Sequence, residues 1–181
     1  MKNLLIFLFA GLILTLVNPL LCAEPVTGPV IEGFGPVIEV PDAEFTLSTD
    51  RVHKVVFDVS QSPTDPAALN RSIETVARFL NLHARSGVAL KNMKVALVLH
   101  GPAGKDTLAD AAYQKRHEMP NPNLQLLQLL KGAGVEIYLC GQTAAFRGFA
   151  IQELAQPVAL ATSAMSVLVE LQGKGYSLIA F

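Results

Sequence analysis

The stretch G-V-E-I-Y-L-C-G-Q-T, residues 134–143, decides the fold. Gly132 and Gly134 stop a Leu-rich helix, residues 135–140 form an apolar run of strand length, and Gly141 opens a helical stretch reaching about Ala155. A strand set between helices pairs in parallel with its neighbours, because such connections are crossovers rather than hairpins. Upstream, Asn121-Pro122 opens the Leu-rich helix, whose Leu126, Leu127 and Leu130 share a face. Residues 94–99 are a second apolar strand closed by His100-Gly101-Pro102, and a short helix over 106–115 carries Leu108, Ala111 and Ala112 inward. Further back, residues 54–59 read as the first strand. Asp65 then serves as N-cap, with Pro66 in the first turn, for a helix presenting Leu69, Ile73, Val76 and Leu80 before Gly87. Downstream lie a fourth strand at 158–161, a helix capped by Thr162-Ser163 with Ala164, Val167, Leu168 and Leu171 on one side, and a fifth strand at 176–181. The alternation specifies an α/β protein: a three-layer α/β/α sandwich around a mainly parallel five-stranded sheet, flavodoxin-like in appearance.

Composition bounds the partners. The chain has 181 residues, 51% hydrophobic content and a formal net charge of -1, with no run of Lys or Arg. No electrostatic footprint for a phosphate backbone exists, so nucleic acid is not an expected partner. Residues 1–23 have the order of a secretory signal peptide: Lys2, an apolar run at 4–17, Asn18-Pro19, then Leu21-Cys22-Ala23. The run is short for a membrane span, and Leu21 and Pro19 stand where a lipoprotein signal needs small and aliphatic residues. Cleavage after Ala23 predicts a periplasmic protein free of the membrane.

Residues 24–50 read as an extended Pro/Gly-rich arm in which G-P-V-I-E occurs at 28–32 and again at 35–39. Two readings stay open: an arm packed on the domain or on a neighbouring subunit, and a disordered tether. The α/β domain is expected over 51–181.

Removing the signal removes Cys22 and leaves Cys140 as the sole thiol, which cannot form an internal disulfide. In parallel sheets the loops leaving the carboxyl ends of strands carry the ligand site, and Cys140 shares that edge with His100. Peptide N–H groups at the start of the next helix favour a thiolate there. The alternative is a cysteine that serves as a small buried hydrophobe. His100 has the chemistry of a base for the thiol or of a ring satisfying a loop carbonyl, and no Asn or Asp is placed by the sequence to orient it. Gly101, Gly141, Gln142 and Thr143 flank the two as substrate contacts. His53, His83 and His117 read as surface residues. The absence of C-x-x-C, H-x-x-x-H or a Cys/His cluster argues against a metal, and the turn at 101–104 lacks a nucleotide fingerprint, so no cofactor is expected.

The segments K-V-A-L-V-L-H-G, N-P-N-L, G-V-E-I-Y-L-C-G-Q-T followed by A-A-F-R-G, and L-Q-G-K-G-Y-S-L-I-A-F resemble the DsrE family of sulfur-trafficking proteins over residues 54–181. The resemblance implies a parallel sheet, assembly into trimers or hexamers, and a cysteine that carries sulfane sulfur as a persulfide between donor and acceptor proteins or small persulfides. Cys140 matches that cysteine, ahead of the helix holding Arg147 and Gly148. The expectation is therefore an exported sulfur-relay protein, a carrier similar to a sulfurtransferase. The alternative is a non-catalytic oligomeric module of the same fold that binds a small ligand or a partner.

Overall fold

A computed structural model describes residues 24–180, so the expected signal peptide at 1–23 lies outside the described residues. The elements run in the order β1 (His53–Val59), α1 (Arg71–Arg85), β2 (Met93–Leu99), α2 (Asp110–His117), α3 (Leu124–Gly132), β3 (Glu136–Cys140), α4 (Gly141–Arg147), β4 (Ala159–Ala161), α5 (Ala164–Gly173) and β5 (Ser177–Ala180). The strands form one sheet in the order β4-β3-β2-β1-β5, and every pairing is parallel. Side chains alternate along each strand, which sorts them onto two faces. Val55, Phe57, Val59, Val95, Leu97, Leu99 and Ile137 pack under α1 and α3, around Ile73, Val76, Leu80, Leu126, Leu127 and Leu130. Val56, Ala96, Val98 and Cys140 pack under α5, against Ala164 and Leu171. Each large aliphatic side chain so buried contributes about 1.5–3 kcal/mol, which makes the first face the thermodynamic core. Among the described residues no helix is long and apolar enough to cross a membrane.

Several boundaries differ from the sequence reading for identifiable reasons. Helix α1 begins at Arg71 with Asn70 as N-cap, its side chain accepting from Ser72 N–H. Asp65 instead closes a local turn by accepting from Ala67 N–H. After His100 the chain makes a 3-10 segment, Gly101–Thr107, and the helix waits until Asp110. Leu108 is held extended meanwhile by a bridge to Leu154, flanked by Ala109 N–H to Glu153 O and Ala155 N–H to Thr107 O. Ala111, expected to face inward, is exposed, because the later start of the helix turns Ala112 and the fully buried Tyr113 toward the core instead. Helix α4 stops at Arg147 rather than near Ala155, because Gly148 turns left-handed (φ 65°) and Arg116 anchors the next residues through Gly148 O and the Glu153 carboxylate.

The arm is docked, not tethered. Val26 and Val37 form an antiparallel bridge, Ile31 is buried in the main core, and Arg78 and Arg85 donate to Pro36 O, Gly28 O and Thr27 O. At the centre, the fully buried Asn81 of α1 accepts from Val30 and Ile31 N–H and donates to the carbonyls of Ile31, Phe34 and Gly35. Gly35 needs its missing side chain, since a Cβ there would lie 2.2 Å from Arg78 N at a φ of 61°. Two histidines are also not on the surface: His53 and His83 are each 8% exposed and meet edge to face at 5.3 Å. His53 Nε2 donates to Ser48 O and His83 Nδ1 to Phe79 O, so this pair seals the place where the arm rejoins the sheet. His117 is half-buried against the Tyr113 ring.

Candidate functional site

Alternation also brings the chemistry together. Asp58 lies two residues beyond Val56, His100 two beyond Val98, and Cys140 two beyond Tyr138, all on the α5 side at the carboxyl edge of the sheet. The register pairs Leu99 with Leu139, and its next step sets His100 beside Cys140, about 4.8 Å apart between strands. One cleft of about 360 Å³ is lined by Asp58, His100, Cys140, Gln142, Ser163, Ala164, Met165 and Leu168. Cys140 is only 6% exposed, yet its accessible part forms the wall of this cleft.

Two helix starts converge on the sulfur. The first turn of a helix carries N–H groups with no partner inside the helix, which are free to hold an anion. Burial pushes the Cys140 thiol up, but the N–H groups of Thr143, Ala164 and Gln142 and the Thr143 hydroxyl outweigh it, so the thiol stands below its ordinary value. Ser163 caps α5 by accepting from Ser166 N–H, which leaves Ala164 N–H for the sulfur. Thr143 has two duties. Its Oγ1 accepts from Gly101 N–H at 3.0 Å, and its own proton is then available to Sγ.

The backbone packs tightly here. A Cβ on Gly141 would stand 2.5 Å from Ala161 O and 3.1 Å from Thr162 O, so the glycine lets α4 start flush against the end of β4. A Cβ on Gly104 would stand 2.6 Å from Thr143 Cγ2. Of the contacts expected from sequence, Gly101, Gln142 and Thr143 line a second cleft of about 500 Å³ with Phe146 and Arg147, while Gly141 is a packing residue beneath it.

His100 does not bond a loop carbonyl. Its Nε2 lies 2.9 Å from Asp58 Oδ1, and the carboxylate can only accept, so Nε2 carries a proton and Nδ1 is the ring nitrogen left to exchange one. Asp58 is the residue that sequence reasoning missed. Its one visible signal is a carboxylate near the end of the otherwise apolar run V-V-F-D-V. Among the described residues, no three His, Cys, Asp or Glu side chains gather as a metal ion would require.

Comparison with known proteins agrees with this architecture. No curated protein matches the chain. Several solved structures share the fold, and two of them illustrate it. One is the protein of unknown function MTH1491 from Methanobacterium thermoautotrophicum, with 18% identity over 71% of this chain and 99% of that one and a TM-score of 0.55. The other is the ychN protein from E. coli, with 21% identity over 72% and 100% and a TM-score of 0.53. The family model that matches, over residues 53–181, spans all five strands, the cysteine and its cleft, and the chain accordingly belongs to the DsrE/DsrF-like family.

Proposed function

We propose that this protein is an exported sulfur carrier in which Cys140 holds sulfane sulfur as a persulfide. The observation that carries the reading is the thiol's setting: Cys140 lies at the carboxyl edge of the sheet on the wall of an open cleft, where the starts of two helices and the Thr143 hydroxyl favour its thiolate. In the loading step, Cys140–S⁻ attacks the outer sulfur of a donor R–S–SH. The donor's S–S bond breaks, a new S–S bond forms on Cys140, and R–S⁻ leaves to take a proton from solvent. In the unloading step an acceptor R′–SH gives its proton to His100 Nδ1 and attacks the outer sulfur, becoming R′–S–SH and restoring the thiolate. Sulfur moves from thiol to thiol with no net oxidation, so no electron carrier is needed. Asp58 orients the ring for that proton. The export part of the proposal rests on residues 1–23, and self-association rests on exposed Met165, Val169 and Leu178 around α5.

The test is intact-mass measurement of the mature chain after exposure to polysulfide. Wild type should gain one sulfur that a reductant removes, and Cys140→Ser should gain none. Equal loading of the serine variant overturns the proposal. A native Cys140 that resists iodoacetamide under conditions that label the unfolded chain would favour instead the non-catalytic binding module.

A further inference from the structure

We infer that the sulfur donor is a small persulfide bearing a carboxylate, and that Arg147 recognises that carboxylate. The inference rests on the carrier reading of Cys140 and specifies its substrate class. Four of the six arginines are engaged within the fold, and Arg51 lines neither cleft. Arg71 pairs with Glu74, Arg78 donates to Pro36 O, Arg85 to Gly28 O and Thr27 O, and Arg116 to the Glu153 carboxylate. Arg147 makes no such contact among the described residues, and it lines the second cleft. It is the only charged side chain among the residues lining that cleft.

The two clefts share one lining residue, Gln142. In the first, the only charged or titratable groups besides Cys140 are Asp58 and His100, already engaged with each other. A ligand spanning the two therefore meets a paired acid at one end and a free guanidinium at the other. An anionic group is repelled by the first and attracted by the second, which sets the direction of binding: sulfur toward Cys140, carboxylate toward Arg147. Arginine suits the task because its planar fork matches a carboxylate with two parallel hydrogen bonds.

Reach and size agree. Arg147 stands six positions beyond Gly141, a rise of about 9 Å along α4, and helical side chains lean back toward the N-terminus, which brings the guanidinium closer to the thiol. That span is what a short peptide places between its cysteine sulfur and its terminal carboxylate. Phe146, 97% exposed, forms an apolar wall for the ligand's stem. Clefts of about 360 and 500 Å³ belong to the small-molecule scale.

The experiment compares initial rates of sulfur loading onto Cys140 of the mature chain, by intact mass, from glutathione persulfide and from its diethyl ester. Wild type should load from the acid about tenfold faster than from the ester, the size of one charge-assisted pair. Arg147→Gln should bring the acid rate down to that of the ester, abolishing the preference, and Arg147→Lys should recover part of it. Equal rates from acid and ester in wild type, or a parallel fall of both in Arg147→Gln, overturns the inference while leaving the carrier reading intact. Loading from polysulfide or a protein-bound persulfide but from neither glutathione species does the same. Failure of every donor to load Cys140 overturns the carrier reading itself.

Discussion

Replacing Asn81 by Ala tests whether the segment ahead of β1 is part of the fold. The side chain is fully buried, and its amide makes five hydrogen bonds, at 2.8–3.2 Å, to the backbone of Val30, Ile31, Phe34 and Gly35. Each such bond contributes about 0.5–1.5 kcal/mol net, and a buried group left without a partner costs about 1–3 kcal/mol. Alanine supplies none of the five partners, and the stranded groups recover water only if the arm lifts off. Lifting it exposes Ile31 and Val37, each worth about 1.5–3 kcal/mol. Leaving the groups stranded costs more than lifting the arm, so the arm should lift and the loss should be about 3–6 kcal/mol. Urea unfolding gives the global loss, and limited proteolysis reports release of the arm as early cleavage within residues 26–47. Asn81→Asp should do no better: its acceptor oxygen still serves two N–H groups, but the second oxygen faces three carbonyls. A loss below about 1 kcal/mol with unchanged protease resistance would refute the assignment of the arm to the core.

Thr143→Val removes the hydroxyl shared by Gly101 N–H and the Cys140 sulfur, so the inflection of the alkylation rate against pH should move upward and the rate at neutral pH should fall about tenfold, Thr143→Ser being milder; an unmoved profile would remove Thr143 from the thiolate's support. Burial depresses His83, and neighbouring His53 adds to this against the opposing Phe79 carbonyl, so the folded chain resists protonating it. Because the folded value lies below the ordinary 6.5, its stability contribution is complete above that pH and drains as the pH falls through the folded value. Urea midpoints should therefore decline on acidification below about 6.5, and the acid limb should be shallower in His83→Phe; identical limbs would refute the assignment.

Much of the architecture was legible because local patterns decide it. Strand and helix identities come from apolar runs and glycine stops, and the position of Cys140 at the sheet's carboxyl edge comes from counting strands. The features that were not legible depend on distant partners. Nothing in the neighbourhood of Asp65 shows that Asn70 has the better claim to cap α1, since Asn70 is fixed by Asp106 and Asn123 from other elements. The early end of α4 depends on Arg116 reaching across from α2. Pro and Gly made the arm look unstructured, although its hydrogen-bond partners wait on Asn81, some fifty residues away. The Asp58–His100 pair, likewise, exists only once β1 and β2 are set in register.

Alternation of side chains also limits how this protein can change its length. Deleting one residue inside β1, β2 or β3 would turn Asp58, His100 or Cys140 through the sheet to lie among the leucines and valines beneath α1 and α3, burying a polar or ionised group in hydrocarbon. Deleting two would restore its direction at the expense of reach. Gains and losses of sequence in descendants of this chain should accordingly spare those strands and accumulate in the connections between elements.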